Sequence, residues 1–333
     1  MQKLIDYDMP TGGVQQASFG FYPDTPNESH RPYRNFMQGE GNTAQRVIHN
    51  PDSEPRKDLI SESKRFEVRG PLSVDFFQSM RLLVTKADIS LKVFFNEPKF
   101  FLHADTNDND YKMVLEEAIL YVRKVRVTPS IANSIDQKLN NEPALYPFIR
   151  REINSYNIPV GFSTFKQENI FRGQLANRYL IFLVDAGAAN GDYEKNPFEF
   201  KHNGLTQVAL FENGQNIAGD PIELDMTNNQ TMNAYYQLLE SIGSIGERAA
   251  YPPITYAEFL SHSTVFCFTR SPDLSHGEDE VVLPKRSGNV TLKLTFKENT
   301  TAALTCYIIG EFFAEVRLSG SGKEKAITTD FPV

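Results

Sequence analysis

Residues 289–297 alternate without a slip: Val290, Leu292, Leu294 and Phe296 fall on one side, Thr291, Lys293, Thr295 and Lys297 on the other. A period of two with one apolar side marks a half-buried strand. Related patterns predict strands at 149–158, 178–185, 205–212, 215–219, 264–270 and 304–318. Asn213-Gly214, between two of them, predicts a type I′ hairpin because both residues tolerate positive φ. Tyr235, Leu238, Leu239 and Ile242 recur at helical spacing, so an amphipathic helix over 232–242 interrupts the strands. A second short helix is expected over 254–260. Upstream, strands are expected near 81–85, 88–95, 99–103 and 115–128, after a helical turn around 74–80. Pro129 opens a helix over 129–141, with Thr128 placed to cap it. Residues 1–64 hold Pro10, Pro23, Pro26, Pro32, Pro51 and Pro55 and little strand signal, which predicts a long loop excursion.

The segment DISLKVFFNEP at 88–98 is echoed by NVTLKLTFKEN at 289–299. Leu91, Lys92, Phe95 and Glu97 recur as Leu292, Lys293, Phe296 and Glu298, 201 positions later. Each copy precedes a similar long strand, YVRKVRV at 121–127 and FFAEVRL at 312–318. Duplicated β units predict two similar sandwiches side by side, an all-β double jelly roll with short helical insertions. The division falls near Tyr146: residues 1–145 as the remainder of a first roll and 146–333 as the second. The second unit has roughly 150 residues before its closing strands, enough for a decorated roll, whereas the first has fewer than ninety, mostly loop. The first roll is therefore expected to be incomplete, with its opening strands absent. Neither Val122, Lys124 and Arg126 nor Arg123, Val125 and Val127 make an apolar face, which suits a strand at a subunit or domain boundary. No βαβ alternation points to a parallel sheet.

With 333 residues the chain can form two cores, and 40% hydrophobic residues place it among globular proteins. Phenylalanine is abundant, at 25 residues, and tryptophan is absent. The net charge of −8 disfavours general binding to nucleic acid. No apolar run is long enough to span a bilayer, and the first residues lack the apolar core of a secretion signal. The sequons at Asn27, Asn229, Asn289 and Asn299 are then chance matches. Cys267 and Cys306 sit among apolar strand residues and are expected as reduced core thiols.

Sites for chemistry are scarce. Asp105, Asn107, Asn109 and Glu116 have calcium-loop spacing, but Asp110 stands where the sharp turn needs glycine, so a polar turn is expected. Gly320-Ser-Gly-Lys323 lacks the first glycine and the hydroxyl of a phosphate loop. Six histidines are scattered without metal-ligand spacing. No cofactor, metal or enzymatic activity is expected, although a carboxylate pair on two strands would be invisible in sequence. The loop 185–202 joins two strands through turn residues yet carries Tyr193, Phe198 and Phe200. Such aromatics pack either on their own subunit or across an intersubunit contact.

The ordered series NGDYEKNPFEFKH (190–202), LTQVALFENGQNI (205–217), MNAYYQLLESIG (232–243), FCFTRSPDLS (266–275) and GNVTLKLTF (288–296) resembles the major capsid protein of Polinton (Maverick) elements and the related adintoviruses. FEVRGPLSVDFFQ (66–78), YVRKVRVTPS (121–130) and YPFIRREINSYNIPVG (146–161) resemble it too, so the likeness runs from about Leu4 to Phe331. The resemblance implies a double jelly-roll coat protein whose trimers form pseudo-hexagonal capsomers. It implies homotrimer, neighbouring-capsomer and minor capsid (penton) partners, and residence in the virion after synthesis in host cytoplasm or nucleus. Members of that family begin earlier, with the opening strands of the first roll. Tyr193, Phe198, Phe200, His202, Tyr235 and Tyr236 are the candidates for interface contacts or loop anchoring. A β-sandwich module binding carbohydrate, a single-roll penton protein and a hydrolase remain alternatives.

Overall fold

The computed structural model describes residues 35–38, 45–48, 60–70, 72, 74–79, 81–84, 89–104, 107–108, 110–228, 230–245, 254–271, 284–320 and 326–331. Strands β1 (Asn35–Gln38) and β2 (Gln45–Ile48) form an antiparallel pair. Helices α1 (Pro98–Phe101) and α2 (Pro129–Asn141) precede the strands β3 (Ala144–Ile158), β4 (Thr164–Gln167) and β5 (Arg178–Asp185). Then come α3 (Ala186–Asn190), β6 (Leu205–Glu212), β7 (Gln215–Asn216), β8 (Ile222–Glu223), α4 (Met232–Ser241) and α5 (Tyr256–Ser261). Strands β9 (Phe266–Thr269), β10 (Val290–Phe296), β11 (Leu304–Ser319) and β12 (Ala326–Thr329) close the described chain.

From β3 onward the pairing is nested. β3 pairs with β11, β4 with β10, β5 with β9, and β6 with β8 and β7, every pair antiparallel. A hairpin that pairs first with last and second with second-last, then rolls up, joins its halves through β11–β5 and β10–β6. The result is two sheets, β3-β11-β5-β9 with β12 beside the far half of β11, and β4-β10-β6 with β7 and β8. This is jelly-roll topology, reached from the strand pairing alone. The all-β expectation holds, with two antiparallel sheets and short helices.

Side-chain alternation tells which face of each strand meets the other sheet. The Tyr179 hydroxyl of β5 donates to Glu212 Oε1 of β6 at 2.7 Å, so Tyr179, Ile181 and Leu183 face the partner sheet. Arg178, Leu180 and Phe182 face away, yet every residue from Arg178 to Val184 is buried. The outer face is covered: Phe200 packs on Phe182 at 4.5 Å between ring centroids, and the Cys267 thiol lies 3.9 Å from the Ser241 carbonyl of α4. Burial on both faces explains why β5 shows a continuous apolar run instead of alternation. β10 buries Val290, Leu292, Leu294 and Phe296, as its alternation predicts. Asn213 and Gly214 both have positive φ, at 50° and 84°, in the predicted turn.

Several expectations are corrected. Residues 89–97 and 110–128 are outside regular structure and pair with no described strand, and 99–103 begins as the helical turn α1, with Pro98 in its first turn. The first half of the echo is therefore no counterpart of β10 in any described sheet. A strand is stabilised by ladder bonds and cross-strand neighbours, and β propensity without a partner leaves only extended chain. The stretch 1–64, expected as loop, contains β1 and β2. β3 starts five residues before the predicted 149, and the strand expected at 215–219 ends at Asn216. Thr128 occupies the N-cap position of α2, but its hydroxyl meets Ser130 Oγ at 3.2 Å and no backbone N–H. Both cysteines are free and buried, and burial pushes the Cys267 thiol up to about 12, so it stays protonated and inert. The calcium-like spacing and Gly320-Ser-Gly-Lys323 lie partly outside the described residues.

Gly310 sits in the middle of β11 because two rings occupy the space of a side chain. A Cβ there would lie 2.8 Å from Phe171 Cζ and 2.8 Å from Phe312 Cε2. Gly310→Val is expected to destabilise the roll by about 1–3 kcal/mol through overpacking, read as a lowered denaturation midpoint. An unchanged midpoint would mean that the rings are free to move aside.

Candidate assembly surface

β3 is the outer strand of its sheet, and its free edge has two halves. The Arg151 backbone N–H points away from β11 and donates to Asp75 Oδ2 at 2.8 Å, while the Leu145 carbonyl accepts from Arg81 Nη1 at 2.8 Å. In an antiparallel ladder the N–H and C=O of one residue point the same way, so the odd-numbered residues of β3 face the edge. Pro147 falls at such a position and costs no ladder bond. The Tyr146 hydroxyl donates to the Leu82 carbonyl at 3.3 Å and accepts from Val84 N–H at 3.0 Å. Residues 75–79 and 81–84 thus run along the edge beside 145–151 and cap it.

Beneath that cap lies a buried ionic cluster. Arg178 Nε donates to Glu311 Oε2 at 2.6 Å and Arg151 Nε to Glu311 Oε1 at 2.8 Å. Arg151 Nη1 also reaches Asp75 Oδ1 at 3.1 Å, so one carboxylate from the upstream segment completes the group. Glu311 is 4% exposed. Burial alone would raise its pKa, but the Arg178 and Arg151 guanidiniums outweigh it and hold the carboxyl below its ordinary value. The cluster draws one residue from each of β3, β5 and β11, and the only sequence signal was a lone glutamate inside the apolar run of 304–314.

The loop 185–202 forms a second contact with upstream chain. Ala104 N–H donates to the Tyr193 carbonyl at 3.0 Å, Tyr193 N–H to Asn107 Oδ1 at 3.1 Å, and Tyr111 N–H to the Tyr193 hydroxyl at 3.1 Å. The Tyr111 and Tyr193 rings meet edge-on at 5.3 Å. Asn107 Nδ2 donates to Asp192 Oδ1 at 2.8 Å. Gly191, at φ +94°, lets the chain pass: a Cβ would lie 3.1 Å from Lys99 Cβ.

The six candidate residues are distributed over several surroundings. Tyr193, Phe200 and Tyr235 are buried within the chain. Phe200 bridges to Ser263 and packs on Phe182, while the Tyr235 hydroxyl donates to the Ile254 carbonyl at 2.8 Å. His202 is half-buried; its Nδ1 accepts from Gly204 N–H at 3.0 Å, and burial lowers its pKa. Phe198 is 53% exposed, with its ring 6.0 Å from Phe100, and Tyr236 is 51% exposed. A larger exposed apolar set comprises Leu91, Val93, Phe94, Phe95, Ile119, Leu120, Tyr121, Val122 and Val125, with Phe94 88% exposed; of these the sequence marked only the stretch around 122–127, as a boundary strand. These exposed apolar side chains are concentrated in two stretches of the chain. Among the described residues, no cluster of three metal-ligating side chains occurs and no helix is long and apolar enough to cross a membrane.

No protein-family model matches the chain. It is 27% identical over 250 residues to "Uncharacterized protein F54H12.2" of Caenorhabditis elegans, an alignment covering 74% of this chain and 59% of that protein. The chain thus spans less than two thirds of the curated relative it matches. Among solved structures it is similar to a protein in the Sputnik virophage cryo-EM structure, at TM-score 0.34 and 13% identity over 58% of this chain and 40% of the other. The PBCV-1 Vp54 crystal structure, fitted into a Sputnik reconstruction, superposes at TM-score 0.37 and 11% identity, covering 62% and 55%. The mavirus major capsid protein superposes at 0.32 and 10% identity, covering 57% and 42%.

Glu311→Gln removes the anion that Arg178 and Arg151 share, and a loss of about 3–5 kcal/mol is expected at neutral pH. The folded pKa of Glu311 lies below its unfolded value of about 4.3. Its contribution is therefore fully present above that pH and fades as pH falls through the folded value. Denaturant titrations should show the gap between native chain and variant narrowing in acid; a gap unchanged from pH 7 to strongly acid conditions would contradict the cluster.

Proposed function

We propose that the chain is a structural subunit of an icosahedral viral-type capsid, of the kind found in Polinton and adintovirus-like elements. The observation that carries the reading is the ordered series of segments resembling that coat protein, which includes the strands of the roll in their order along the chain. A jelly roll alone implies no function. Here it coincides with upstream stretches that hold strand-forming apolar residues in water, as a subunit built to be covered by neighbours would. The domain division goes with this proposal: 1–145 as the remainder of a first roll, 146–333 as the second.

In this reading three copies associate into a pseudo-hexagonal capsomer, neighbouring capsomers and a penton protein complete the shell, and the chain resides in the virion. The mechanism is burial of apolar surface between subunits, since obligate interfaces are large and apolar. Buried Tyr193, Phe200 and Tyr235 hold the loops in shape, His202 braces the turn at Gly204, and exposed Phe198 and Tyr236 are contact residues. Mass photometry of the purified chain over rising concentration is expected to show a species at three times the 37.8 kDa chain mass. The double variant Phe198→Ala, Tyr236→Ala is expected to weaken it while leaving the monomer's melting temperature within about 1 °C. A chain that stays monomeric throughout contradicts the shell reading; trimers unaffected by the double variant remove those two residues from the contact.

A further inference from the structure

The upper half of the β3 edge is built differently from the capped half. Ile153, Ser155 and Asn157 share the edge-facing direction that Arg151 and Leu145 establish, because the β3–β11 register runs unshifted from Ala144 to Ile158. Among the described residues no group bonds to the backbone N–H or C=O of these three. Ile153 is 60% exposed, and Ser155 and Asn157 are exposed too. Natural sheets blunt such edges with charge, proline or a bulge. β3 applies those devices only lower down, through Pro147, the Asp75 cap on Arg151 and the Arg81 cap on Leu145. From Ile153 to Ile158 it has none.

We propose that this edge is a two-fold interface in which β3 of one copy pairs antiparallel with β3 of a second copy, Ser155 facing Ser155. The two sheets then run on as one through the β3–β3 junction. Three features select a second copy as the occupant. The edge is self-complementary: centred on Ser155, each open N–H and C=O of 153, 155 and 157 meets its counterpart, and Ile153 falls opposite Asn157. It is uncharged: no Asp, Glu, Lys or Arg occurs from 153 to 165, in a chain whose net charge is −8. In this pairing only the residue on the axis meets its own copy, and Ser155 carries no charge to repel itself. The smallest side chain of the exposed row, Ser155, sits on the axis, where it meets its own copy. The contact is distinct from the three-fold association proposed above and stands on the strand edge alone.

The test is register-specific cross-linking of the full chain. Ser155→Cys places two thiols on the axis with Cα atoms about 5.5 Å apart, within disulfide reach. Asn157→Cys places its pair about 14 Å apart along the strands, beyond it. Both positions are exposed, so the fold tolerates either change, and the native Cys267 and Cys306 are buried. Under mild oxidation a covalent dimer is expected on a denaturing gel for Ser155→Cys, at least tenfold more than for Asn157→Cys. A third variant, Ser155→Lys, sets two cations on the axis and is expected to abolish pairing in sedimentation while the melting temperature holds. Failure of Ser155→Cys to cross-link, equal cross-linking of the two cysteine variants, or undiminished pairing in Ser155→Lys would each overturn the proposal.

Discussion

β11 is the strand on which the rest of the fold depends. It is hydrogen-bonded along one side to β3 over its whole length, and along the other to β5 and then β12. Because it pairs with the first strand of the roll, its place fixes the nesting of the others. Two adjacent residues at its centre serve opposite faces. Gly310 makes room for the Phe171 ring on the inner face, and Glu311 neutralises two guanidiniums on the outer one. Between sheets, Tyr179 and Glu212 add a polar tie, with Arg270 Nε 3.1 Å from the same carboxyl group. Burial raises the pKa of both Tyr179 and Glu212, and the bond between them keeps neither group unsatisfied.

The same cluster joins the roll to the chain before it. Asp75 reaches both the Arg151 guanidinium and the Arg151 backbone N–H, so one residue caps an edge and completes a charge group. At the other end of the roll, Tyr193 is held by backbone groups of Ala104 and Tyr111 and by the side chain of Asn107. Between these attachments the chain carries apolar side chains into solvent. The roll is thus a closed core joined at two places to chain that exposes apolar side chains.

How much of this could be read from sequence depended on how local each signal was. β10 was legible because one face is core and the other wet, which is the condition for clean alternation. The 213–214 turn and the helix at 232–241 were legible because backbone conformation and helical spacing are properties of neighbours in sequence. The strands expected over 88–127 were misjudged for the converse reason: Val, Phe and Tyr record a preference for extended chain, and a ladder also needs a partner. The cluster of Asp75, Arg151, Arg178 and Glu311 was not legible, because four charged residues spread over more than two hundred positions meet only after the sheet has formed. Of the six aromatic and histidine candidates, the loop's composition marked it as a packing element without saying which rings turn inward.

In the proposed reading the roll folds without help, while residues 111–127 are surface that other subunits cover. Hydrogen–deuterium exchange, comparing the dilute monomer with the associated protein, tests it most directly. Amides of β5 and β11 are expected to be protected in both states, whereas those of 111–127 exchange as free chain in the monomer and become protected on association. Protection of 111–127 already in the monomer, or none in either state, would contradict it.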